Sequence, residues 1–556
     1  MKRLSALSCF LALVSSGGAA WGFVAAPILK WDNGGCFSSW CEKGWYSSPA
    51  VADLDGDGRM EIVGSAYSLV VVDGETGELK WRVASGHDRS EPGAGNVGRT
   101  WPGVVVTDVN HDGRPNIVTA HNHGYVSVYD HNGYFLPGWP RHPTDRELRG
   151  LVVHDLDGDG TREIIVSGAV SSRTNTWIYD HRGNLRPGWP QLSNDSGFAF
   201  GVFNDNVAVG DLDGDREVEL VIPSDVHYIC AYNPNGEGVP THAMYGGKKW
   251  GAVGIWESMV PELRGWGSCS GERIESYRTN FANGAAVITD VDGDGGNEVV
   301  VTGNVYDCHS GYPPSRYTGV YIFHPDRSRF TSERWNWQNP PVDTGAPISE
   351  DYSVIENCQP NPAVADLDAD GEKEIIFPAY DGKVHAFWLD KQEHHNWPYP
   401  VYNSQEGFYR FASEPVVADL DHDGCAEVIF TSWVQNSDAE PVRLGKLHLL
   451  DCRGTVLHEV SLPPPLSSRR KWNGALAAPT IADIDGDGEM ELAVQTVYAG
   501  LAVYDLPGTR DAVILWRSGR NRSYSVPSGN GPAPGSTTGK KSMSPLFLLL
   551  RKAPSR

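Results

Sequence analysis

Ser48-Pro-Ala-Val51-Ala-Asp53-Leu-Asp55-Gly-Asp57-Gly58-Arg-Met-Glu61-Ile-Val63 sets the pattern of the whole chain. A short apolar run is followed by a loop of alternating aspartates, an acidic residue and a second apolar run. The runs are too short for helices and flank an Asp-Gly turn, so they read as two strands of a hairpin. The same pattern returns in loops that begin at Asp108, Asp155, Asp211, Asp290, Asp366, Asp419 and Asp483, spaced by 47 to 79 residues. The unit continues beyond the loop: Leu69–Asp73, Gly74-Glu-Thr-Gly77 and Glu78–Trp81 read as strand, turn, strand. Tyr125–Asp130 with His131-Asn-Gly133, and Ile178–Asp180 with His181-Arg-Gly183, repeat that order.

Four antiparallel strands in a single sheet cannot bury both faces. Stacking successive sheets around a closed ring does, and leaves no long exposed edge. The expectation is therefore all-β: an eight-bladed β-propeller of four-stranded antiparallel blades over residues 23–522. Ring closure has two candidates, since Ile28-Leu-Lys-Trp31 and Val513-Ile-Leu-Trp516 both resemble the outer-strand segment Glu78-Leu-Lys-Trp81.

The loops have their own chemistry. In the first, Asp53, Asp55 and Asp57 take positions 1, 3 and 5, Gly58 position 6 and Glu61 position 9. Alternating carboxylates around a tight turn, a carbonyl at position 7 and an acid at position 9 form a flexible cage of hard oxygens, which favours Ca²⁺ over the stricter Mg²⁺. Structural calcium is expected at Asp155, Asp157, Asp159 and Glu163; at Asp211, Asp213, Asp215 and Glu219; and at Asp290, Asp292, Asp294 and Glu298. The same holds for Asp366, Asp368, Asp370 and Glu374; for Asp419, Asp421, Asp423 and Glu427; and for Asp483, Asp485, Asp487 and Glu491. The loop with Asp108, Asn110 and Asp112 carries two amides, Asn110 and Asn116, and the Asp211 loop has Arg216 in place of glycine. These two should bind most weakly.

The unit from Ser48 to Gly58 resembles the FG-GAP/VCBS repeat family, which includes the integrin α-subunit propeller, over about residues 45–520. The resemblance implies calcium held within each blade by the residues just named. The Phe-Gly and Gly-Ala-Pro halves of the integrin repeat are not evident, so integrin-type ligand recognition is not implied.

A net charge of −24 argues against nucleic acid as a partner. Eight divalent ions would add sixteen positive charges and leave −8. Met1–Arg3 is basic, Leu4–Val14 apolar and Ser15–Ala20 small, the layout of a signal peptide over residues 1–22. A secreted monomer without a transmembrane segment is expected, extracellular or, in a bacterium, periplasmic or at the cell surface. Residues 523–556 read as a disordered tail. Among the cysteines, Cys36 with Cys41 and Cys425 with Cys452 suit disulfides, two of Cys269, Cys308 and Cys358 could pair, and Cys230 sits in a strand.

No nucleophile elbow, His-Glu-x-x-His or phosphate loop is present, and no catalytic residue is assigned. His121-Asn-His123 reads as turn chemistry, and the Gly138-Trp-Pro140 and Gly188-Trp-Pro190 tripeptides as blade packing. Metal loops occupy one end of such a ring, which leaves the other for binding. Residues that enter the first strands, Trp101, Arg149, Asn206, Asn283, Asn361 and Asn473, should meet near its mouth, joined by Trp335 and Trp337 from a long aromatic-rich insertion. The reading is a non-catalytic binding or adhesion module for a glycan or an extracellular protein. A polysaccharide lyase of the rhamnogalacturonan-lyase type, which shares the eight-bladed calcium-rich design, is the alternative, and a structural scaffold in a surface complex is a third.

Overall fold

A computed structural model describes residues 24–170, 174–191, 204, 207–223, 228–255, 267–269, 272–274, 281, 284–305, 317–341, 347–349 and 351–521. Asn206, Asn283, Cys308, the expected signal peptide and the expected tail lie outside these residues. The chain is all-β, and no helix among the described residues is long and apolar enough to cross a membrane.

Each Asp-rich loop joins the first two strands of an antiparallel sheet, numbered here one to eight by the loop it carries. Sheet one runs Ala50–Ala52, Glu61–Ser65, Ser68–Asp73 and Leu79–Ala84 in chain order. One register rule fixes all the loops: the residue before the first aspartate pairs with position 9. Ala52 thus faces Glu61, Thr107 Asn116, His154 Glu163 and Gly210 Glu219. Thr289, Ala365, Ala418 and Ala482 face Glu298, Glu374, Glu427 and Glu491 in the same way.

The fourth strand departs from the expected regularity. In sheets two to five it is reduced to isolated bridges, such as Tyr129 with Phe135, Tyr179 with Leu185 and Tyr232 with Gly238. In sheets two and three the sequence explains this. Phe135-Leu-Pro-Gly-Trp-Pro140 and Leu185-Arg-Pro-Gly-Trp-Pro190 each contain two prolines, which remove ladder donors and confine the segment to an edge.

Successive sheets bury their faces against one another. Val63 and Val71 of sheet one pack with Val106 and Ile117 of sheet two, and Val118 and Val128 of sheet two with Leu151 and Ile164 of sheet three. The series continues to sheet eight, whose Ala493 and Val503 pack with Val51 and Ile62 of sheet one. A second device repeats at these junctions: a tryptophan near the outer edge of one sheet donates its indole N–H to a carbonyl in the last turn of the next. Trp31 reaches Gly74 (3.0 Å), Trp81 His131 (3.2 Å), Trp139 His181 (3.0 Å) and Trp189 Pro234 (2.9 Å). Trp250 reaches Pro325 (2.8 Å), Trp337 Leu389 (2.8 Å) and Trp397 Cys452 (3.0 Å).

Both ends of the described chain meet at sheets seven and eight, the one junction at which no such indole bond is found among the described residues. Of the two closure candidates, Ile28–Gly34 is the outer strand of sheet eight, paired with Leu501–Leu506. Val513–Trp516 instead pairs with Val416–Asp419, the first strand of sheet seven. Arg517 then bonds Ile481 of sheet eight through its backbone, while His458 of sheet seven meets the carbonyl of Val24 (2.8 Å). Disulfides join Cys36 to Cys41 and Cys425 to Cys452; Cys358 is a buried free thiol and Cys230 lies buried in the strand Cys230–Tyr232.

Candidate metal loops and the opposite surface

The loops share one hydrogen-bond plan. The position-1 carboxylate braces the turn: Asp53 accepts from the N–H of Gly56 (2.7 Å) and Gly58 (2.9 Å), and Asp155, Asp211 and Asp290 do the same. Positions 4 and 6 both lie in the left-handed region. Arg216, at position 6 of its loop, does adopt φ 79°, a conformation that costs a non-glycine residue about 1 kcal/mol. Position 4 has the same need, and His111, Ala369 and His422 meet it without glycine, which the sequence did not reveal.

The position-9 glutamate is oriented by the fold. One oxygen accepts the N–H of position 2: Leu54 to Glu61 (2.8 Å), Leu367 to Glu374 (2.7 Å) and Leu420 to Glu427 (2.9 Å), with Asn116 playing this part in the Asp108 loop. The other oxygen is left for the loop. Ligand atoms of Asp53, Asp55 and Asp57 lie within 4.8 Å of one another, as do those of Asp155, Asp157 and Glu163, and of Asp211, Asp213 and Glu219. Asp290, Asp292 and Asp294, and Asp366, Asp368 and Glu374, form equivalent groups that could hold a metal ion.

Charge divides the loops into two kinds. In the Asp53 loop, Lys80 bonds both Asp55 and Glu61; in the Asp155 loop, Arg186 bonds Asp157 (2.9 Å) and Glu163 (2.7 Å). Lys30 bridges Asp485 of the last loop to Asp505. The Asp211, Asp290, Asp366 and Asp419 loops have no lysine or arginine on these carboxylates among the described residues. There, burial and the loop's own aspartates push Glu219 up to about 7, Glu298 and Glu427 to about 8 and Glu374 to about 9, and burial raises Glu491 of the Asp483 loop to about 7 as well. Glu374 Oε1, Asp419 Oδ1 and Asp421 Oδ1 are buried without a hydrogen-bond partner. Oriented oxygens that lack a donor and resist ionisation on their own suit a hard cation.

At the opposite end, where the first strands begin, Trp101 and Asn361 line one cavity with Tyr46, Asn204 and Glu414. Its wall includes Gly519 and Arg520, so the segment after Val513–Trp516 closes it from within the same chain. Glu414 gathers Asn361 Nδ2 (2.9 Å), Trp516 Nε1 (3.4 Å) and the Arg520 N–H (2.5 Å). Arg149 stacks on Trp101 at 3.7 Å and pairs with Glu147. Asn473 is buried and structural, bonded to the Pro463 carbonyl and the Tyr498 N–H.

Trp335 and Trp337 do not join this group. Trp337 is fully buried as one of the junction indoles, and Trp335 donates to Glu372 (3.1 Å) in the Asp366 loop, at the end that carries the Asp-rich loops. Burial pushes His121 down to about 3, and its ring bonds Thr100 and Thr119, so it is a core residue. Residues missed in the sequence are Lys43, Trp45, Arg99 and Arg470, which sit on the cavity side in segments that lead toward the first strands.

Residues 108–166 match the FG-GAP-like repeat, which spans the second and third loops. Among curated proteins, none matches the chain. Similar solved structures include the biofilm matrix protein Bap1 of V. cholerae (15% identity, 89% of each chain covered, TM-score 0.32). Others are the C-terminal WD40 domain of Sif2 (12% identity, 88% of this chain and 100% of that one, TM-score 0.44) and BamB from Moraxella catarrhalis (14% identity, 82% and 84%, TM-score 0.29).

Proposed function

We propose that the chain is an exported, calcium-holding eight-bladed β-propeller that serves as a non-catalytic binding or adhesion module. The observation that carries the calcium reading is Glu374: one oxygen is fixed by Leu367, and the other is buried and unbonded beside Asp366 and Asp368. Asp at positions 1, 3 and 5, the carbonyl of position 7 and the free oxygen of position 9 would hold the ion, which supplies rigidity to the loop end. Packing of sheet eight on sheet one, with the Trp31–Gly74 bond across that junction, supports the closed ring. The two disulfides suit an oxidising compartment. Binding then falls to the opposite end, where connections between sheets converge.

Elemental analysis of the purified protein should find several calcium ions per chain. Excess chelator should lower the melting temperature by many degrees, and calcium should restore it better than magnesium, because an ion bound only by the native state stabilises that state. An unchanged melting curve would remove the calcium reading. A glycan array tests the binding reading, and unsaturated products from acidic polysaccharides would point to a lyase.

A further inference from the structure

Cys425 is position 7 of the Asp419 loop, the position whose backbone carbonyl belongs to the expected ligand set. Its sulfur is bonded to Cys452, in the turn between the third and fourth strands of the same sheet, Lys446–Leu450 and Val456–Ser461. Cys452 is a fixed point. It is 5% exposed, its carbonyl accepts the junction indole of Trp397 (3.0 Å), and its N–H donates to Cys425 Sγ (3.2 Å). None of the other seven loops has a cysteine at position 7, so this covalent tie is peculiar to the seventh.

The seventh loop is also the one whose first aspartate is least braced. In the other seven, Oδ1 of that residue accepts a backbone N–H, from Gly56 in the first loop (2.7 Å) to Gly486 in the last (2.8 Å). Asp419 Oδ1 is buried without such a partner, and Asp419 keeps one bond, from Gly424 at 3.2 Å. Asp421 Oδ1 is buried and unbonded as well. A turn held by few bonds samples several arrangements, and gathering its oxygens around one ion requires that freedom to be given up. A cross-link to a fixed point gives it up beforehand, which favours binding.

We propose that Cys425–Cys452 is a positioning disulfide for calcium: it holds the position-7 carbonyl in place, so that the seventh loop binds the ion tightly only while the two sulfurs are joined. The inference rests on the reading of the loops as calcium sites and adds a redox dependence to one of them. A dithiol that reduces the bond supplies two electrons and two protons; the S–S bond breaks, two thiols form, and the dithiol closes to its own disulfide. Cys425 then moves with the turn between Asp419 and Glu427, while Cys452 stays under Trp397. The coupling runs both ways: a disulfide that raises calcium affinity is itself protected by bound calcium, by the same factor.

The test uses the full chain and calcium alone as the probe. Cys425→Ser with Cys452→Ser should lower calcium affinity at one site by about tenfold, so that about one ion per chain is missing at limiting free calcium and regained at high calcium. Cys36→Ser with Cys41→Ser should leave the count unchanged. In an Asp423→Ala background, where the seventh loop is already disabled, loss of the Cys425–Cys452 bond should remove no further ion. Should the serine pair fail to fold, the unaltered chain carries the test. Reduction of Cys425–Cys452 by dithiothreitol, read by alkylation of the freed thiols, should need about tenfold more reductant in excess calcium than in chelator, with Cys36–Cys41 reduced equally in both. Equal calcium binding by the serine pair at every free calcium, an equal loss in the Cys36/Cys41 variant, a further loss in the Asp423→Ala background, or equal reduction in the two conditions overturns the inference and leaves the calcium reading of the loops standing. A chain that binds no calcium at all overturns both.

Discussion

Lys80 and Arg186 show how far a candidate metal loop can be read at the scale of single residues. Each aspartate cluster was legible because its members lie within nine residues of one another, so spacing alone brings them together. The counter-cations were not. Lys80 is 19 residues from Glu61, and Lys30 is 455 from Asp485; only strand register places them. The expected ranking, weakest at the Asp108 and Asp211 loops, was drawn from the loop residues alone and leaves these cations out of account. Lys80→Met should tighten calcium binding at the Asp53 loop, because the ammonium that competes for Asp55 and Glu61 is gone; calcium counted at limiting free ion should rise, and a fall would show that Lys80 supports the site. Asp294→Ala, in a loop without its own cation, should lose about one bound ion and more stability than Asp112→Ala, whose loop already has amides at Asn110 and Asn116. Equal losses would mean that the ligands have been misassigned.

Strands and turns were read from the period of two and the Asp-Gly hairpins, and these cues are local. The thinning of the fourth strand was legible in principle from its paired prolines in sheets two and three, but not in sheets four and five, where Gly238-Val-Pro240 has one proline and Arg329–Trp337 none. The indole junctions were legible only in part. Gly138-Trp-Pro140 and Gly188-Trp-Pro190 carry a repeat, whereas Trp250 and Trp337 stand in long insertions where an aromatic looks like a ligand platform. What settles their role is a carbonyl in the neighbouring sheet, 75 and 52 residues away. Trp250→Phe keeps most of the apolar volume and removes the hydrogen bond, so it should cost about 1 kcal/mol, while Trp250→Ala should cost about 3–5 kcal/mol. Urea unfolding of the two variants checks this. Equal costs would deny the N–H any part in the junction.

For the molecule as a whole, the junction between sheets seven and eight is the distinctive one. Its neighbours are held by indoles, and it is held by the chain's own first and last strands. Truncation after Gly508 removes Val513–Trp516 and the Arg517 and Arg520 contacts with Ile481, Glu414 and Ala286. The truncated protein should exchange backbone hydrogens fastest at Val416–Asp419 and Thr480–Ala482, with sheets two to four unchanged. Uniformly faster exchange would mean that the last strand supports the entire fold instead. This closure was ambiguous from sequence because Ile28–Trp31 and Val513–Trp516 look alike. They differ in which neighbouring strand lies open to them, and only the assembled sheets decide that.

The pairing of Ile28–Gly34 with Leu501–Leu506 also has a history in time. A ribosome finishes the first of these strands long before the second, and at ~5–20 residues per second the wait is roughly half a minute to a minute and a half. During that interval sheets one to seven can assemble into an open arc, while Ile28–Gly34 lacks its ladder partner and is tied only to sheet one, through Trp31 and Gly74. The protein reaches its full stability only when its last-made strands arrive, so a chain halted anywhere before residue 501 is released with its opening strand unclaimed and available to another copy.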